Sequence, residues 1–483
     1  MTAPAINLSL IAHTNVGKTT LARTLLGSDV GEVRDEAHTT YEATSYRLVE
    51  TDEGDSLLLW DTPGFGNSAR LLNRLKQHGN PIGWFLSAVW DRYTDRAFWL
   101  TQVAVRNVRD EADVILYLVN ASELPEDAGY LAPELAVLEW IGKPVIVLLN
   151  QTGKPRPSEE ELEDETRWRN AVKQWTVIRD VLPLDAFARC WVQELSLFSA
   201  IAKVLPAETV PSFERLTRRW EARRERQFSE AMEALAQPIA RAACDNAPMP
   251  ETSMLSHLGK FVGVPQKEDK KAAAAAVRDM GERLKKDLLE SAERLIAIHD
   301  LKGHAAQELR SRLEDVSATQ APIDEHKAAG IFGLVSGALS GLGADLMSGG
   351  LSLGGGMLVG AVLGALGGAG VAKGVNVVRG AKAPVLRWDE AFLDALVISA
   401  LMRYLAVAHF GRGRGEWREG EYPAFWLEIV TQSVSNRKMH LARIWKHRDA
   451  ACSSEEIGAE LKPVLEAIAR VLLRRLHPRS RDA

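Results

Sequence analysis

Cysteine is scarce in this sequence. Only three occur in 483 residues, and they form neither a CxxC motif nor a Cys/His ligand spacing. We therefore predict no zinc site and a reducing compartment. The N-terminus also lacks a cationic segment followed by a long apolar stretch. This absence predicts that there is no signal peptide and that the protein is cytoplasmic.

An excess of positive charge is missing as well. Lys and Arg number 59 against 64 Asp and Glu, which gives a net charge of −5. Such a chain has no global basic field to hold DNA or RNA by counterion release, so we do not expect a nucleic-acid partner. The hydrophobic fraction of 46% and the charged fraction of 25% exclude a wholly disordered chain and a multispan transporter.

Short apolar runs alternate with helical patterns in the N-terminal part. Strands are predicted at 6–11, 43–50, 56–61, 113–119 and 144–150. Helices are predicted at 18–26, 131–141 and 158–181. Because strands alternate with helices, the pattern predicts a doubly wound, mostly parallel α/β sheet over residues 1–206, with a helical insertion at 66–112.

The remaining chain is predicted to be all-α. It divides into a charge-rich helical region at 207–327, a Gly-rich apolar helical hairpin at 328–380 and a C-terminal helical region at 381–483. A loop is predicted at 246–250, where polar and Pro residues interrupt the helical pattern.

The first strand runs into a loop that predicts phosphate binding. Residues 12–20 read AHTNVGKTT and match GxxxxGK[ST] except that Ala12 replaces the first Gly. In such a loop Gly17 lets the backbone approach the phosphates, Lys18 reaches the β- and γ-phosphates and the Thr19 hydroxyl ligates Mg²⁺. The backbone N–H groups of the same segment cradle the anion, and we expect the segment's other members also to contact the nucleotide: Asn15, Val16 and Thr20. His13 is expected to be only an exposed loop residue.

A second nucleotide motif closes the third strand. Asp61-Thr-Pro-Gly64 fits DxxG, in which Asp61 holds Mg²⁺ through water and the Gly64 N–H senses the γ-phosphate. The two motifs together predict an α/β P-loop nucleoside triphosphatase that acts as a nucleotide switch.

Three segments resemble the TrmE–Era–EngA class of GTPases: Asn15-Val-Gly-Lys-Thr, His38-Thr39-Thr40 and Asp61-Thr-Pro-Gly64-Phe65. More narrowly, the whole chain is similar to bacterial GTP-binding proteins with a C-terminal domain of unknown function, DUF3482. The resemblance implies a GTPase that needs Mg²⁺, held by Thr19, Thr40 and Asp61, with Thr39 as the alternative to Thr40. It also implies that Asn15 coordinates K⁺, although local capping of the loop explains that residue equally well.

Three departures from the family pattern affect the expected activity. Strand five ends Asn150-Gln-Thr-Gly153, so Gly replaces the Asp that grips guanine, and ATP is not excluded as a substrate beside GTP. Ser199-Ala200 is the candidate start of the base-contacting loop, but Ile201 replaces its Lys. Phe65 stands where a water-positioning Gln is found in Ras-like proteins. We therefore expect slow turnover, accelerated by K⁺, by homodimerisation or by a protein activator.

The Gly-rich segment repeats glycine at every fourth position. The repeats predict two helices whose glycine stripes face each other; they are Gly333, Gly337 and Gly341, then Gly360, Gly364 and Gly368. One interpretation is membrane association through residues 328–372, peripheral or conditionally inserted at the inner membrane. A second is a hairpin buried in a soluble core, and a third is a set of contacts within an oligomer.

The sequence thus favours a Mg²⁺-dependent GTP-binding protein and slow GTPase that switches a helical, membrane-associating C-terminal domain. Two alternatives stay open. One is a nucleotide-gated effector that inserts into membranes or forms pores, and the other is an Era-like RNA or ribosome-assembly factor.

Overall fold

The computed structural model describes residues 4–27, 43–66, 68–77, 96–153, 156–186, 190–248, 267–301, 375–379, 384–410, 424–448 and 452–478. These residues form two compact units. The first comprises Met1–Arg226, Ala408–Gly415 and Arg474–Ala483, and the second comprises Gln227–Val407 and Glu416–Leu473. The first unit therefore extends beyond the predicted boundary at residue 206.

A six-stranded sheet forms the centre of the first unit. Its strands are β1 (Ala5–Ala12), β2 (Thr44–Glu50), β3 (Ser56–Asp61), β4 (Val114–Asn120), β5 (Val145–Asn150) and β6 (Ile178–Pro183). They lie in the order β2-β3-β1-β4-β5-β6, in which only the β2–β3 pair is antiparallel. The carboxyl ends of β1, β3, β4, β5 and β6 consequently meet at one edge of the sheet, where ligands of doubly wound folds bind.

Helices cover both faces of this sheet. They are α1 (Lys18–Leu26), α2 (Ser68–Gln77), α3 (Arg96–Asp110), α4 (Leu131–Ile141), α5 (Ser158–Val172) and α6 (Trp191–Ala202). Side chains of a strand alternate between the faces. Thus Leu116 and Leu118 of β4 pack in a cluster with α1 and α6, while Ile115 and Tyr117 pack in a second cluster with α3 and α4. The predicted α/β fold class is confirmed.

Two predicted elements of the first unit differ from the structure or are only partly described by it. The helix predicted over 158–181 ends at Val172, and β6 follows it, so the prediction is wrong for its last part. The strand β6 was missed because it contains charged residues and only half of its residues are apolar. In the insertion predicted at 66–112, the structure describes α2 and α3, and residues 78–95 lie outside the described residues.

The second unit is mostly helical. Helix α7 (Val210–Cys244) begins in the first unit, and its residues from Gln227 onward belong to the second. The helices after it are α8 (Lys267–Ile298), α9 (Glu390–Ala408), α10 (Ala424–Ser435), α11 (Lys438–His447) and α12 (Ser454–Leu476). The predicted helical C-terminal region is therefore present.

A small antiparallel sheet accompanies these helices and was not predicted. Its strands are β7 (Asn246–Pro248), β8 (Val375–Arg379) and β9 (Pro384–Trp388), in the order β7-β9-β8. The loop predicted at 246–250 is thus wrong for its first three residues, which form β7. β8 likewise falls inside the range assigned to the Gly-rich hairpin. The glycine stripes themselves, and residues 328–372 as a whole, lie outside the described residues.

Helix α9 passes a simple test for a membrane span. Among the described residues it alone is long and apolar enough, with a mean hydropathy of 1.8. However, 83% of that stretch is buried within the protein, as in the core helix of a folded domain. The helix therefore adds little to the case for a membrane association.

Two of the three cysteines are paired. Cys244, at the end of α7, forms a disulfide with Cys452, which lies 208 positions further along the chain. The scarcity of cysteine had led us to expect reduced thiols. Cysteine count and spacing contain no information on which side chains the fold brings together, so this pairing could not be foreseen.

Candidate functional site

The phosphate-binding loop joins β1 to α1. Gly17 caps α1 with φ 94° and Asn15 has φ 66°, so both adopt the left-handed conformation that favours Gly and Asn. Ala12, in contrast, is the last residue of β1 and does not have a positive φ. The replacement of the first motif Gly by Ala12 therefore causes no backbone strain.

Two glycines are required by close approach. A Cβ atom on Gly17 would lie 2.9 Å from the Nδ2 atom of Asn150, and one on Gly64 would lie 3.1 Å from Lys18 Nζ and 3.1 Å from Thr14 Cα. A side chain on Gly17 would therefore displace the Asn150 amide, and one on Gly64 would require Lys18 or the Thr14 backbone to shift slightly.

The reactive side chains of the two motifs meet at the edge of the sheet. The Thr19 hydroxyl donates a hydrogen bond of 2.6 Å to Asp61 Oδ2. Lys18 and Asp61 are both buried. Burial lowers the pKa of Lys18, while the nearby carboxylates of Asp61 and Glu134 raise it. Burial raises the pKa of Asp61, opposed by the Thr19 hydrogen bond and the Lys18 charge.

The predicted Mg²⁺ fits these residues. Asp61 Oδ1 is buried and has no hydrogen-bond partner among the described residues, and a buried oxygen of this kind calls for a cation or a water. Hydroxyl and carboxylate oxygens are the donors that Mg²⁺ prefers. Thr19 and Asp61 are therefore the candidate ligands. Thr39 and Thr40, proposed for the same ion, lie outside the described residues.

The segment after Asp61 is fixed to the phosphate-binding loop. The Thr62 hydroxyl donates to the Leu10 carbonyl at 2.6 Å, and the Phe65 N–H donates to the Ala12 carbonyl at 2.8 Å. The Phe65 ring is completely buried. It therefore packs in the core and cannot position a water molecule by hydrogen bonding.

Asn150 links the phosphate side of the site to its base side. Its buried side chain donates to the Val16 carbonyl at 2.6 Å and accepts from the Ala186 N–H at 2.8 Å. Gly153, where the guanine-binding Asp is expected, is exposed, with φ 86°. Asn150 thus holds two loops together. The Asp that normally completes the guanine-binding motif is replaced by Gly153.

The loop after β6, which sequence reasoning missed, is bonded to the end of β5. Asp185 Oδ2 accepts hydrogen bonds from the Thr152 N–H at 2.9 Å and from the Thr152 hydroxyl at 2.8 Å. The prediction that Ser199 and Ala200 begin a loop is wrong, since both lie within α6 and Ala200 packs in the core. Only recognition of β6 could have directed attention to Asp185 and Ala186.

His13 also differs from the expectation of an exposed loop residue. Its Nδ1 atom lies 2.7 Å from Glu134 Oε1, and its ring stacks on Tyr130 with centroids 4.5 Å apart. Glu134 is fully buried and also accepts a 2.8 Å hydrogen bond from the Tyr117 hydroxyl. Burial raises the pKa of Glu134, and the His13 contact opposes this effect. This group of side chains supports the first residues of the phosphate-binding loop from α4 and β4.

Comparison with solved structures gives weak matches. Era from Aquifex aeolicus, as a variant bound to GDP·AlF4⁻, is 22% identical with a TM-score of 0.32, over 42% of this chain and 57% of that one. Era with MgGDPNP and a segment of 16S ribosomal RNA gives the same identity and TM-score, over 42% and 58%. A bacterial selenocysteine-specific elongation factor is 15% identical with a TM-score of 0.26, over 41% and 28%. The chain thus spans rather more than half the length of the two Era structures, and such likeness does not bear on function.

Family models give the clearer result. Residues 7–151 match the model described as 50S ribosome-binding GTPase, and residues 174–462 match the domain of unknown function DUF3482. No curated protein matches the chain. The resemblance inferred from the motifs is confirmed. Because the second model covers more than half of the sequence, the protein belongs to the DUF3482 family, and its N-terminal part is a GTP-binding P-loop GTPase domain.

Proposed function

We propose that the protein is a slow, Mg²⁺-dependent GTPase whose nucleotide state controls the C-terminal domain. The observation that supports this most directly is the placement of Lys18, Thr19 and Asp61 at one edge of the sheet, with the Thr19 hydroxyl 2.6 Å from Asp61. The reaction is in-line attack of water on the γ-phosphate, which needs positioning and charge stabilisation more than covalent chemistry.

The residues of this chain have separate tasks in that reaction. The backbone of 15–18 at the start of α1 offers N–H groups and the positive end of a helix to the phosphates. The buried Lys18 ammonium neutralises charge that develops on the transferring group. Thr19 and Asp61 would hold Mg²⁺, which would neutralise further phosphate charge. Gly64 leaves room for Lys18.

Activation of the water is the weak point of this site. Phe65 replaces a side chain able to orient water, and its ring is buried. Turnover is therefore slow, and additional positive charge accelerates it. Asn15 is exposed at the tip of the loop, where its amide oxygen can bind K⁺. Self-association or a protein activator is the other source of acceleration.

Helix α7 is the element that transmits the nucleotide state. In the first unit Arg215 binds Asp55 through hydrogen bonds of 2.7 and 2.9 Å, and Arg219 lies 2.9 Å from Asp52. Both acids lie in the turn between β2 and β3, and β3 ends at Asp61. Movement of this hairpin on hydrolysis pulls on α7, which continues into the second unit. In this proposal the Gly-rich segment is the effector, and it acts by associating with a membrane.

Phosphate release by the full-length protein tests the proposal. Turnover of GTP and of ATP is measured with Mg²⁺ in KCl and in NaCl, for the wild type and for Lys18→Ala. Lys203→Ala, which removes an exposed lysine at the end of α6, is the matched control. We expect GTP turnover that is higher in KCl, is lost in Lys18→Ala and is unchanged in Lys203→Ala. Turnover that survives Lys18→Ala would rule out this site as its source.

A further inference from the structure

Three metal-ligating side chains from distant parts of the sequence meet in the first unit. The Cys190 thiol and the imidazoles of His409 and His477 each place a ligand atom within 4.8 Å of the other two. We propose that these residues form a zinc site. It is separate from the Mg²⁺ site and does not depend on the proposed GTPase reaction.

The geometry suits a tetrahedral ion. Zinc bonds nitrogen at about 2.0–2.1 Å and sulfur at about 2.3 Å, so tetrahedral ligand atoms lie about 3.3–3.6 Å apart. The two Nε2 atoms are 2.9 Å apart, and the widest separation in the group does not exceed 4.8 Å. The required separations therefore lie within the range that these values allow.

The ligand set selects the metal. One thiolate and two imidazoles are soft to borderline donors, which suit Zn²⁺ and exclude Mg²⁺ and Ca²⁺. Cys190 and His409 are buried and His477 is half-buried. Cys190 directly precedes the 12-residue helix α6, whose N-terminus stabilises a thiolate charge. Three protein ligands leave the fourth position to water.

Solvent has access to the site from one side. His477 also lines a shallow cleft together with Leu184, Gln193 and Glu165. Solvent therefore reaches the group from the His477 side.

The position of the site suggests that it connects separate segments of the chain. Cys190 lies four residues after Ala186, whose N–H binds Asn150. His409 follows α9, and His477 follows α12. A zinc ion at this point ties two C-terminal segments to the loop on the base side of the nucleotide site. Zinc would add a direct bond from each of these segments to one shared ion, beyond the packing that already places them in one unit.

The alternative is a metal-free pair of histidines. Rings stacked at 5.1 Å with Nε2 atoms at 2.9 Å can share one N–H···N hydrogen bond without any ion. That arrangement involves no thiolate. Direct observation of a bond between metal and sulfur therefore separates the two possibilities.

The test uses the full-length protein with its disulfide intact. After dialysis against a weak chelator, zinc is measured by mass spectrometry. The zinc is then exchanged for Co²⁺, and the absorption spectrum is recorded. The same measurements are made on Cys190→Ser, His477→Gln and, as the matched control, His447→Gln, since His447 is an exposed histidine paired with Glu460.

We expect about one zinc per wild-type chain and a thiolate-to-cobalt charge-transfer band. Affinity should fall at least about tenfold in His477→Gln and the band should vanish in Cys190→Ser, whereas His447→Gln should match the wild type. If the variants do not fold, the wild-type spectrum decides by itself. Wild-type protein that binds no stoichiometric zinc, or whose cobalt form lacks the sulfur band, would overturn the proposal.

Discussion

Asn15 is the residue on which the potassium proposal depends. Its φ of 66° explains why Asn is tolerated there without any cation. A test must therefore separate the effect of the backbone conformation from the effect of K⁺ binding by the side chain. Asn15→Gly does so, because Gly adopts the same φ and lacks the amide oxygen. We expect this variant to turn over GTP in KCl about tenfold more slowly than the wild type, at the rate measured in NaCl.

Steady-state rates at matched ionic strength check the prediction for Asn15. Asn15→Ala is the companion variant, since it loses both the amide and the favourable conformation. If Asn15→Gly kept the full stimulation by KCl, the Asn15 side chain would not be a K⁺ ligand, and its role would be limited to favouring the backbone conformation.

Gly153 is the residue at which guanine selection is expected to be incomplete. It has φ 86°, and a Cβ added there would meet no atom within 4 Å. An Asp therefore has room at this position, and Asp accepts a left-handed conformation better than most residues. We expect Gly153→Asp to raise the ratio of kcat/KM for GTP over ATP about tenfold or more, because the carboxylate pairs with guanine donors.

The control for this gain is Gly153→Ala, which introduces similar backbone strain without a carboxylate. Competition between the two nucleotides in one reaction measures the ratio directly. An equal ratio in the two variants would mean that guanine is recognised elsewhere, with Asp185 in the neighbouring loop as the first residue to test.

At the scale of elements, α7 is held against α6 by a buried charge. Glu194 is fully buried and accepts hydrogen bonds from Trp220 at 2.6 Å and from Arg224 at 2.9 and 3.0 Å. The Arg224 guanidinium also lies over the Trp220 ring. Arg224→Leu leaves the carboxylate buried without its guanidinium, so we expect the free energy of unfolding to fall by about 3–5 kcal/mol.

Urea unfolding of the first unit, followed by tryptophan fluorescence, measures this loss. Arg226→Leu, an exposed position on the same helix, should change stability by less than about 0.5 kcal/mol. Replacing both partners, in Glu194→Leu with Arg224→Leu, should recover most of the loss. A single Arg224→Leu variant as stable as Arg226→Leu would contradict the importance of this contact.

At the scale of the whole molecule, the Cys244–Cys452 disulfide closes a loop of 208 positions in the second unit. Cross-linking so long a segment restricts the unfolded chain strongly. We expect reduction, or Cys452→Ser, to lower the free energy of unfolding by about 2–4 kcal/mol.

Thermal unfolding with and without reductant checks the effect of the disulfide, and Cys452→Ser should show no further response to reductant. Thiol titration of denatured, unreduced protein should find one of the three cysteines reactive. Three reactive thiols, or equal midpoints in both conditions, would show that the disulfide does not form in solution.

Prediction from the sequence succeeded where an element or a motif is contiguous. The strands before Ala12 and Asp61 are short apolar runs bounded by breakers, and their ends carry the P-loop and DxxG residues. It failed at β6, whose sequence is only half apolar, and this error displaced the base-side loop onto Ser199. The residue types around β6 resemble those of the preceding polar helix α5, so the hydrophobic periodicity could not distinguish the strand from the helix.

The sequence by itself determined the class of protein and the candidate phosphate-binding residues, because Lys18, Thr19 and the backbone around Gly17 are neighbours along the chain. Only the tertiary structure decided which distant side chains meet. The bridge from Val16 through Asn150 to Ala186, the disulfide, and the cluster of Cys190, His409 and His477 are of this kind. Such contacts depend on how the helices and strands pack against one another, and spacing along the chain does not record that packing.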